Sequence, residues 1–508
     1  MTTAPSGAPL NIANGVREFA RATPDAVAVI DGDRRLTYRQ LHERAARLAQ
    51  SLTGRGLTAG SRVAVCLGNR LEHPEIACGI AMAGMTMVPL NPRYTAAEAT
   101  FILEHSESAA VIADAALAAV VAPAVAAGAL IALAVGDADG FESYDEALAA
   151  ATPVDPQVPV DEEAPFCIAY TSGTTGAPKG VMISHRSRVL TFYMAAMEWG
   201  LGIGRTSIAV APMYHGAGFA FGYAPVFTGG TVVMLPKWNP QALLELIERE
   251  RAQSVFLVPT HAQMLRGLGA DAIAARDLSS LDTLYFNAAA LPWELKQWVM
   301  AAFPAVGVHE LYGSTESGII TNLRPADMAR KPGSVGQPWF MTEVRVVDAD
   351  GNPVGPGGTG ELFSRSPYLM RGYLKNPEAT AACTTDDGFL SCGDMVHIDD
   401  EGYFYIVGRK SDMIVSGGIN VYPREIEDVL ATHPSVAEAA VVGLPSAQWG
   451  EEVTAYVVPA GDADLDVEAL EAHCRQSLAG YKIPRQWHPI AELPRNAAGK
   501  VVKRDIRA

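Results

Sequence analysis

Length, composition and charge narrow the range of functions before any motif is considered. The chain has 508 residues, of which 49% are hydrophobic, and this is enough for more than one domain with its own core. Lys and Arg number 39 against 56 Asp and Glu, and the resulting formal charge of −17 argues against a nucleic-acid partner, which would need a basic face. The six cysteines contain no CxxC pair, so we expect free thiols in the reducing cytoplasm. The first residues, Met1–Gly7, lack the basic start and apolar run of a signal peptide.

The first predicted elements are a hairpin followed by a helix. Val27–Ile30 and Leu36–Tyr38 are apolar runs on either side of an Asp-Gly turn, which predicts two paired strands. From about Tyr38 to Arg55 apolar residues recur every three or four positions, and this spacing predicts a helix. Strands and helices then alternate as far as about Phe286, which predicts parallel sheets covered on both faces.

The uncharged, alanine-rich stretch from Ala115 to Gly136 needs to be tested as a membrane span. It contains Pro123 and Gly128, and neither Lys nor Arg flanks it. Alanine contributes little to insertion, and spanning helices usually have basic or aromatic anchors at their ends. We therefore predict a buried helix, a turn and a strand at Leu130–Val135, with no integral membrane segment.

The pattern of the sequence changes after about Val335. Residues alternate in Val344–Asp348, and a turn-rich stretch of Pro and Gly follows, which predicts a small β-rich unit. Beyond Arg409 a strand and helix pattern begins again and continues to the last residue. We predict an α/β fold, in which a large N-terminal domain of doubly covered sheets includes a β-rich subdomain at about 335–408 and is followed by a small α+β C-terminal domain.

Tyr170–Gly180 is the segment with the clearest chemistry. It combines hydroxyl side chains, glycines and Lys179 within eleven residues. Glycines let the backbone approach a ligand closely, and N–H groups, hydroxyls and a lysine can all donate to phosphate oxygens. Lys179 is followed by Gly180 and not by Ser or Thr, so the segment does not match an ordinary P-loop.

With four further motifs that follow in order, this segment resembles the adenylate-forming (AMP-binding) superfamily. The members of this superfamily are acyl- and aryl-CoA synthetases, nonribosomal peptide adenylation domains and firefly luciferase, and the resemblance is greatest to the carboxylic acid:CoA ligases. It extends from about Leu36 to Lys503, nearly the whole chain. The four further motifs are Leu311–Glu316, Ser391–Asp394, Gly408–Asp412 and Pro494–Lys500.

The resemblance implies an AMP-forming acid–thiol ligase that uses ATP, Mg²⁺ and coenzyme A. A carboxylate would react with the α-phosphate of ATP and release pyrophosphate, and the CoA thiol would then displace AMP. The implied domains are 1–408, a hinge at 409–412 that includes Ser411, and a mobile C-terminal domain at 413–508. An acyl-AMP ligase, or a luciferase-type enzyme that makes no CoA thioester, stays open as the alternative.

Several residues have roles that the resemblance implies. Lys500 would be the catalytic lysine of adenylation, while Glu316 and Thr175 would hold Mg²⁺ and complete the catalytic set. The positive charges of Lys500 and Mg²⁺ would neutralise two anionic reactants. Tyr312 would stack on adenine, and Gly417 would border the pantetheine channel. The implied nucleotide and CoA contacts are Thr171, Ser172, Gly173, Thr174, Thr175, Gly176, Lys179, Ala288, Ala289, Ala290, Leu311, Tyr312, Gly313, Ser314, Thr315, Asp394, Arg409, Gly417, Gly418 and Lys500.

The acyl pocket that the resemblance implies is neutral and mostly apolar. An amino acid is disfavoured because its ammonium would want a carboxylate, and a dicarboxylate is disfavoured because Leu311 stands where an arginine would be expected. Aromatic residues favour an aromatic or phenylpropenoic acid, while a medium- or long-chain fatty acid stays open. A homodimer is also left open. The implied substrate contacts are Tyr214, His215, Phe219, Gly222, Asn287, Gly313, Gly318, Ile319 and Ile320.

Overall fold

The computed structural model describes residues 9–128, 130–171, 178–417, 419–446, 448–461, 465–495 and 501–506. The chain divides into two compact units. The first contains Met1–Glu343 and Arg365–Leu390, and the second contains Val344–Ser364 and Ser391–Ala508. The β-rich stretch that follows Glu343 is thus grouped largely with the C-terminal residues. The domain bounds that the sequence predicts, with their hinge at 409–412, stay a prediction.

Strands form four sheets in the described part of the chain. In chain order they are β1 (Val27–Asp31), β2 (Arg34–Thr37), β3 (Arg62–Cys66), β4 (Thr86–Pro89), β5 (Ser108–Asp114), β6 (Ile131–Val135), β7 (Glu142–Ser143), β8 (Pro165–Thr171), β9 (Lys179–Ser184), β10 (Thr206–Ala209), β11 (Thr231–Met234), β12 (Ser254–Leu257), β13 (Thr283–Phe286), β14 (Gly307–Ser314), β15 (Gly318–Leu323), β16 (Gln337–Pro338), β17 (Glu343–Val347), β18 (Thr359–Arg365), β19 (Asp394–Ile398), β20 (Phe404–Arg409), β21 (Ile414–Ser416), β22 (Ile419–Val421), β23 (Val436–Ser446), β24 (Gly450–Pro459) and β25 (Gln486–Pro489).

Helices alternate with many of these strands. They are α1 (Asn14–Ala22), α2 (Tyr38–Gly54), α3 (Glu72–Met82), α4 (Ala96–His105), α5 (Ala122–Ala126), α6 (Tyr144–Ala149), α7 (His185–Trp199), α8 (Gly216–Phe227), α9 (Pro240–Glu250), α10 (Pro259–Gly267), α11 (Ala270–Ala274), α12 (Trp293–Ala302), α13 (Pro377–Cys383), α14 (Pro423–Leu430), α15 (Val467–Ser477) and α16 (Lys503–Ile506).

Two large sheets form the first compact unit. One has nine strands in the order β16-β15-β14-β13-β12-β10-β11-β1-β2, and the other has seven in the order β7-β6-β5-β3-β4-β8-β9. Neighbours within β10 to β14 and within β3 to β6 run parallel. Strands such as β4, every residue of which is buried, fit a sheet covered on both faces. The predicted α/β fold class is confirmed.

The predicted helix after the first hairpin is confirmed as α2. The Thr37 side chain accepts a hydrogen bond from the backbone N–H of Gln40, and the Gln40 side chain accepts one from the Thr37 N–H in return. This reciprocal pair satisfies donors that the first turn of a helix leaves unpaired. The buried face of α2 includes Leu41, Leu48 and Leu52 at the predicted spacing.

The alanine-rich stretch is only partly as predicted. Its strand is confirmed as β6, but the buried helix is wrong. Ala115–Val120 is a 3₁₀ turn in which only Ala118 is buried, and α5 has no buried residue. Alanine side chains remove little apolar surface from water, so burying them would stabilise the fold little. Among the described residues, no helix is long and apolar enough to cross a membrane.

The second compact unit contains two smaller sheets. One has the order β17-β18-β19-β20, and in the other β22-β21-β24-β23 is extended by β25, which runs parallel to β24. The helices α14 and α15 add the apolar residues Ile426, Leu430 and Leu470 to the core of the second sheet. This is the α+β arrangement that the sequence predicts beyond Arg409.

Candidate active site

Two segments of the predicted site follow neighbouring strands of the nine-stranded sheet. β13 and β14 run parallel, and Phe286 stands opposite Glu310 in their register. Because the carboxyl ends of parallel strands meet at one edge of a sheet, segment 287–290 lies beside segment 311–316. Ligands of open α/β sheets typically bind at this edge. The topology therefore brings together the two segments for which the resemblance implies adenine contacts.

A tight hairpin between β14 and β15 presents Glu316. A Cβ added at Gly313 would lie 1.9 Å from the carbonyl oxygen of Gly318, and Gly318 itself has a φ of +69°, so both positions need glycine. Ser314 Oγ lies 2.7 Å from Ser317 Oγ and accepts from the Ser317 N–H at 3.0 Å. The carbonyl of Glu316 accepts from the Met370 N–H at 2.7 Å, so the turn is held from both sides.

The Glu316 carboxylate is contacted by hydroxyls. Its Oε1 accepts from the Tyr373 hydroxyl at 3.1 Å and lies 3.5 Å from Thr171 Oγ1. No ion pair engages Glu316 within residues 178–417 or the other described ranges. A half-buried carboxylate surrounded by neutral oxygens can accept a hard cation, which prefers oxygen ligands. Tyr373 lies outside the five motifs, so the sequence alone did not indicate a role for it.

Lys179 contacts the same tyrosine that donates to Glu316. It stands opposite Thr171 in the antiparallel register of β8 and β9, and its Nζ is 5.0 Å from the centroid of the Tyr373 ring. The ring therefore contacts both the predicted metal-binding carboxylate and the predicted phosphate-binding lysine. Seven predicted contacts lie outside the described residues: Ser172, Gly173, Thr174, Thr175, Gly176, Gly418 and Lys500.

Of the remaining residues in the Leu311–Glu316 motif, Leu311 is buried, and Tyr312 and Thr315 are half-buried. Tyr312 pairs with Thr321 of β15. Tyr312 therefore lies near the end of β14 that leads into the hairpin, while the side chain of Leu311 is part of the core. The motif thus runs from one buried residue, Leu311, to a series of half-buried ones at the end of the strand.

Segment 287–290 has a strained beginning. Ala288 has a φ of +75°, a conformation that residues other than glycine rarely adopt, and its N–H donates to Oδ1 of Asn287. Ala288 and Ala289 are exposed and Ala290 is half-buried. Glycine would adopt the φ of Ala288 with less strain than alanine does.

The predicted acyl residues lie on the loop before α8, on α8 itself, directly after β13, and on β14 and β15. The rings of Tyr214 and His215 are 4.7 Å apart, and burial raises the pKa of Tyr214. Phe219 lies in the core, where its ring stacks on Phe166 at 5.6 Å. A Cβ added at Gly222 would lie 3.1 Å from Met213. Ile319 and Ile320 are buried, and Asn287 is half-buried.

Large aromatic side chains pack next to these acyl residues. The Trp199 ring is stacked nearly parallel on Tyr285 at 5.2 Å and on Trp339 at 5.4 Å, and Phe221 meets Tyr285 edge-on at 4.9 Å. Tyr285 is two residues before Asn287 on β13, and the Trp339 N–H donates to the carbonyl of Ile320. These four buried rings, which we name the aromatic block, fill the space beside the predicted pocket.

In the second unit the structure brings Asp394 and Arg409 together. Arg409 Nε donates to Asp394 Oδ1 at 3.1 Å, and the two residues stand opposite each other in β19 and β20. Asp394 is buried and Arg409 is largely exposed. Lys410 Nζ pairs with Glu361 at 2.8 Å, and Ser411 lies in a 3₁₀ turn, Lys410–Asp412.

Gly417 of the predicted pantetheine loop is held against a tryptophan. Its N–H donates to the Trp449 carbonyl at 2.8 Å, its φ is +60°, and a Cβ there would lie 3.1 Å from the Trp449 ring. The guanidinium of Arg485 is 4.1 Å from the centroid of the same ring, a cation–π contact. Sequence analysis missed Trp449 and Arg485, which are far from Gly417 in the chain.

Comparison with known proteins identifies the class. Residues 16–374 match the AMP-binding enzyme family and residues 425–500 match the AMP-binding enzyme C-terminal domain. The chain belongs to the AMP-binding enzymes, and the family predicted from its motifs is confirmed.

Particular relatives cover nearly the whole chain. It is 37% identical to a feruloyl-CoA synthase from Amycolatopsis, with 96% of each chain covered. It is 35% identical to a long-chain-fatty-acid–CoA ligase from Mycobacterium tuberculosis, with 98% of each covered. It also resembles the solved o-succinylbenzoate CoA synthetase of Bacillus subtilis in complex with its acyl-adenylate, with 28% identity, a TM-score of 0.86, and coverage of 97% of this chain and 98% of that one.

Proposed function

We propose that this protein is an ATP-dependent carboxylic acid:CoA ligase. In the first step a carboxylate oxygen of the acid bonds to the α-phosphorus of ATP, and the bond to pyrophosphate breaks. In the second step the thiol sulfur of CoA bonds to the acyl carbon, the thiol proton is lost, and AMP leaves. The observation that carries the proposal is the Glu316 carboxylate, which is presented on a hairpin and accepts from the hydroxyl of Tyr373, the residue whose ring lies under Lys179.

Mg²⁺ is part of the proposal. The donors around Glu316 fit it, because a carboxylate and the Thr171 hydroxyl are hard oxygen ligands and Mg²⁺ usually adds substrate phosphates to one or two carboxylates. Glu316 would hold the ion together with Thr175, and the ion would neutralise charge on the phosphates of ATP.

The side chains around the metal site have separate tasks. Lys179 supplies a positive charge for phosphate oxygens, and the Tyr373 hydroxyl orients the Glu316 carboxylate. Tyr312 offers a flat ring to the adenine base. Lys500 is proposed for the transition state of adenylation, while Asp394 and Arg409 are proposed for the ribose.

For the acid substrate, we propose an aromatic or phenylpropenoic acid. The aromatic block supports this choice because its buried rings belong to residues close to Asn287 in the chain or bonded to Ile320. Aromatic rings also offer offset-stacked and edge-on contacts to a planar substrate. A medium- or long-chain fatty acid is the second candidate, and the relative that acts on such acids supports it.

The test is pyrophosphate release across a panel of acids, followed by product analysis with and without CoA. We expect benzoates and phenylpropenoates to release pyrophosphate faster than fatty acids of eight or more carbons, and the thioester to form only with CoA present. Acyl-AMP as the final product despite CoA would favour an acyl-AMP ligase instead. Light emission with oxygen would favour a luciferase-type enzyme.

Two further elements of the proposal concern the setting of the enzyme. A cytoplasmic location agrees with the six cysteines, all of which lie in the described part of the chain and are free thiols. A homodimer stays a proposal that size-exclusion chromatography with light scattering would test.

A further inference from the structure

An ion pair lies in the interior of the first compact unit. Lys296 Nζ and Glu310 Oε2 are 2.5 Å apart, and their side chains are 0% and 5% exposed. Neither atom has a hydrogen-bond partner elsewhere in the described part of the chain. Desolvation offsets most of the attraction in such a pair. Its presence therefore calls for an explanation in terms of what it holds in place.

The second oxygen of the same carboxylate holds a backbone group. Glu310 Oε1 accepts from the N–H of Leu291 at 3.0 Å, and this contact is buried. Leu291 directly follows the three alanines of segment 287–290. Lys296 lies in the first turns of α12, where its own N–H donates to the Pro292 carbonyl. One carboxylate thus links β14, the end of the alanine segment and the start of α12.

Two hydrogen bonds are recorded for the alanine segment and Leu291 in the described part of the chain, and one of them is the bond from Leu291 to Glu310. Ala288 is kept at a φ of +75°, and the side chains of Ala288 and Ala289 are exposed, so packing does not hold them. The beginning of the segment is held by the Asn287 side chain, which accepts from the Ala288 N–H. Its end is held by Glu310, six residues before the carboxylate of Glu316.

We propose that Glu310, itself held by Lys296, is a positioning residue for the nucleotide. Its hydrogen bond to Leu291 keeps the alanine segment in the conformation in which small side chains and exposed backbone form one wall of the adenine site. The inference rests on the proposed function, in that Ala288, Ala289 and Ala290 are taken to face the adenine of ATP. It assigns a task to a charged pair outside the recognised motifs.

The test compares two double variants that differ in a single hydrogen-bond acceptor. E310Q/K296M removes both charges and keeps a carbonyl oxygen for the Leu291 N–H. E310M/K296M has the same charge and nearly the same shape, but no acceptor. E310Q/K296M (the Gln pair) should keep KM for ATP within about twofold of the unsubstituted enzyme, because its neutral hydrogen bond to Leu291 survives. E310M/K296M (the Met pair) should raise KM for ATP about five- to tenfold, the typical effect of one lost hydrogen bond. The turnover number at saturating ATP and KM for the acid should be similar in the two.

Equal KM values for ATP in two folded variants would overturn the inference, because a purely structural role would lower the amount of folded enzyme without changing that constant. Calorimetric binding of ATP to the unsubstituted enzyme separates the outcomes. If that enzyme does not bind ATP, the proposed function fails. If it binds ATP and the Met pair binds equally well, only the positioning role fails.

A second measurement covers the case in which the Met pair does not fold. Hydrogen exchange of the unsubstituted enzyme would be followed in a peptide that contains Leu291, with and without ATP. We expect slow exchange of the Leu291 amide that slows further with ATP. If the Leu291 amide exchanged fast with and without ATP, the proposed hydrogen bond from Leu291 to Glu310 would not hold the segment in place.

Discussion

Two glutamates six residues apart have very different surroundings in the described part of the chain. Glu310, within β14, is buried against Lys296 and also accepts from a backbone N–H. Glu316, on the turn after the same strand, is half-buried and contacted by two hydroxyls, one of which is that of Tyr373. Glu310 is paired with a buried lysine and holds the fold, whereas Glu316 forms no ion pair among the described residues and is proposed to bind a ligand. The partner, rather than the residue type, decides the role.

The largest expected effect is on stability, in Glu310→Gln. The amide keeps the hydrogen bond to Leu291 but leaves the Lys296 ammonium buried without a counter-charge, which typically costs about 3–5 kcal/mol. Urea denaturation should show this loss. Adding Lys296→Met is the control, because it removes the unpaired charge and should restore most of the free energy of unfolding. A double variant as unstable as the single one would contradict the comparison.

Glu316→Gln should have the opposite profile. Adenylation is expected to slow by about 10²–10³-fold, because the variant would lose the charge that is proposed to hold Mg²⁺ near the phosphates. The urea midpoint should hardly change, since no ion pair is broken in the described residues. Part of the rate should return at high Mg²⁺ concentration. If stability fell as much as in Glu310→Gln and Mg²⁺ had no effect, Glu316 would be a second structural charge.

Tyr373→Phe tests whether the hydroxyl that donates to Glu316 contributes to the use of MgATP. The ring stays under Lys179, and only the hydroxyl that donates to Glu316 is lost. We expect kcat/KM for MgATP to fall about tenfold, in line with the loss of one hydrogen bond to a charged group. Steady-state kinetics with a fixed excess of acid and CoA would measure it. A rise in KM for the acid alone would place the hydroxyl in another role.

The smallest expected effect comes from Ala288→Gly on the segment that Glu310 holds. Glycine adopts the φ of +75° without strain, so the free energy of unfolding should rise by about 0.5–1 kcal/mol. Ala290→Gly is the matched control, because Ala290 has no positive φ and the same substitution should destabilise slightly. Equal changes in the two variants would show that Ala288 carries no strain.

Much of the fold could be predicted from local pattern. The spacing in α2 and the Asp-Gly turn between β1 and β2 indicate a helix and a hairpin because each depends on residues a few positions apart. The prediction of a buried helix at Ala115–Val120 was wrong because an uncharged composition does not say whether side chains are buried. In this segment only Ala118 is buried. Composition alone therefore predicted a burial that packing did not produce.

Motifs located the candidate site, and the fold supplied its partners. Glu316, Lys179 and Asp394 could be named because they lie in short motifs that resemble those of adenylate-forming enzymes. Tyr373, 57 residues from Glu316, could not, because a hydrogen bond over that distance depends on how β14, β15 and the 370–373 segment pack. The roles of Glu316, Lys179 and Asp394 stay predictions that the variants above would test.

The sequence by itself determined the family, the α/β class and the positions of the motifs, because these depend on residue types at fixed short spacings. Only the tertiary structure decided that Glu310 is neutralised by Lys296 while Glu316 faces hydroxyls, and that Ala288 takes a left-handed conformation. The physical reason is the same in each case. The state of a charge or a strained backbone depends on its neighbours in space, and those neighbours come from distant strands and helices that meet only when the chain has folded.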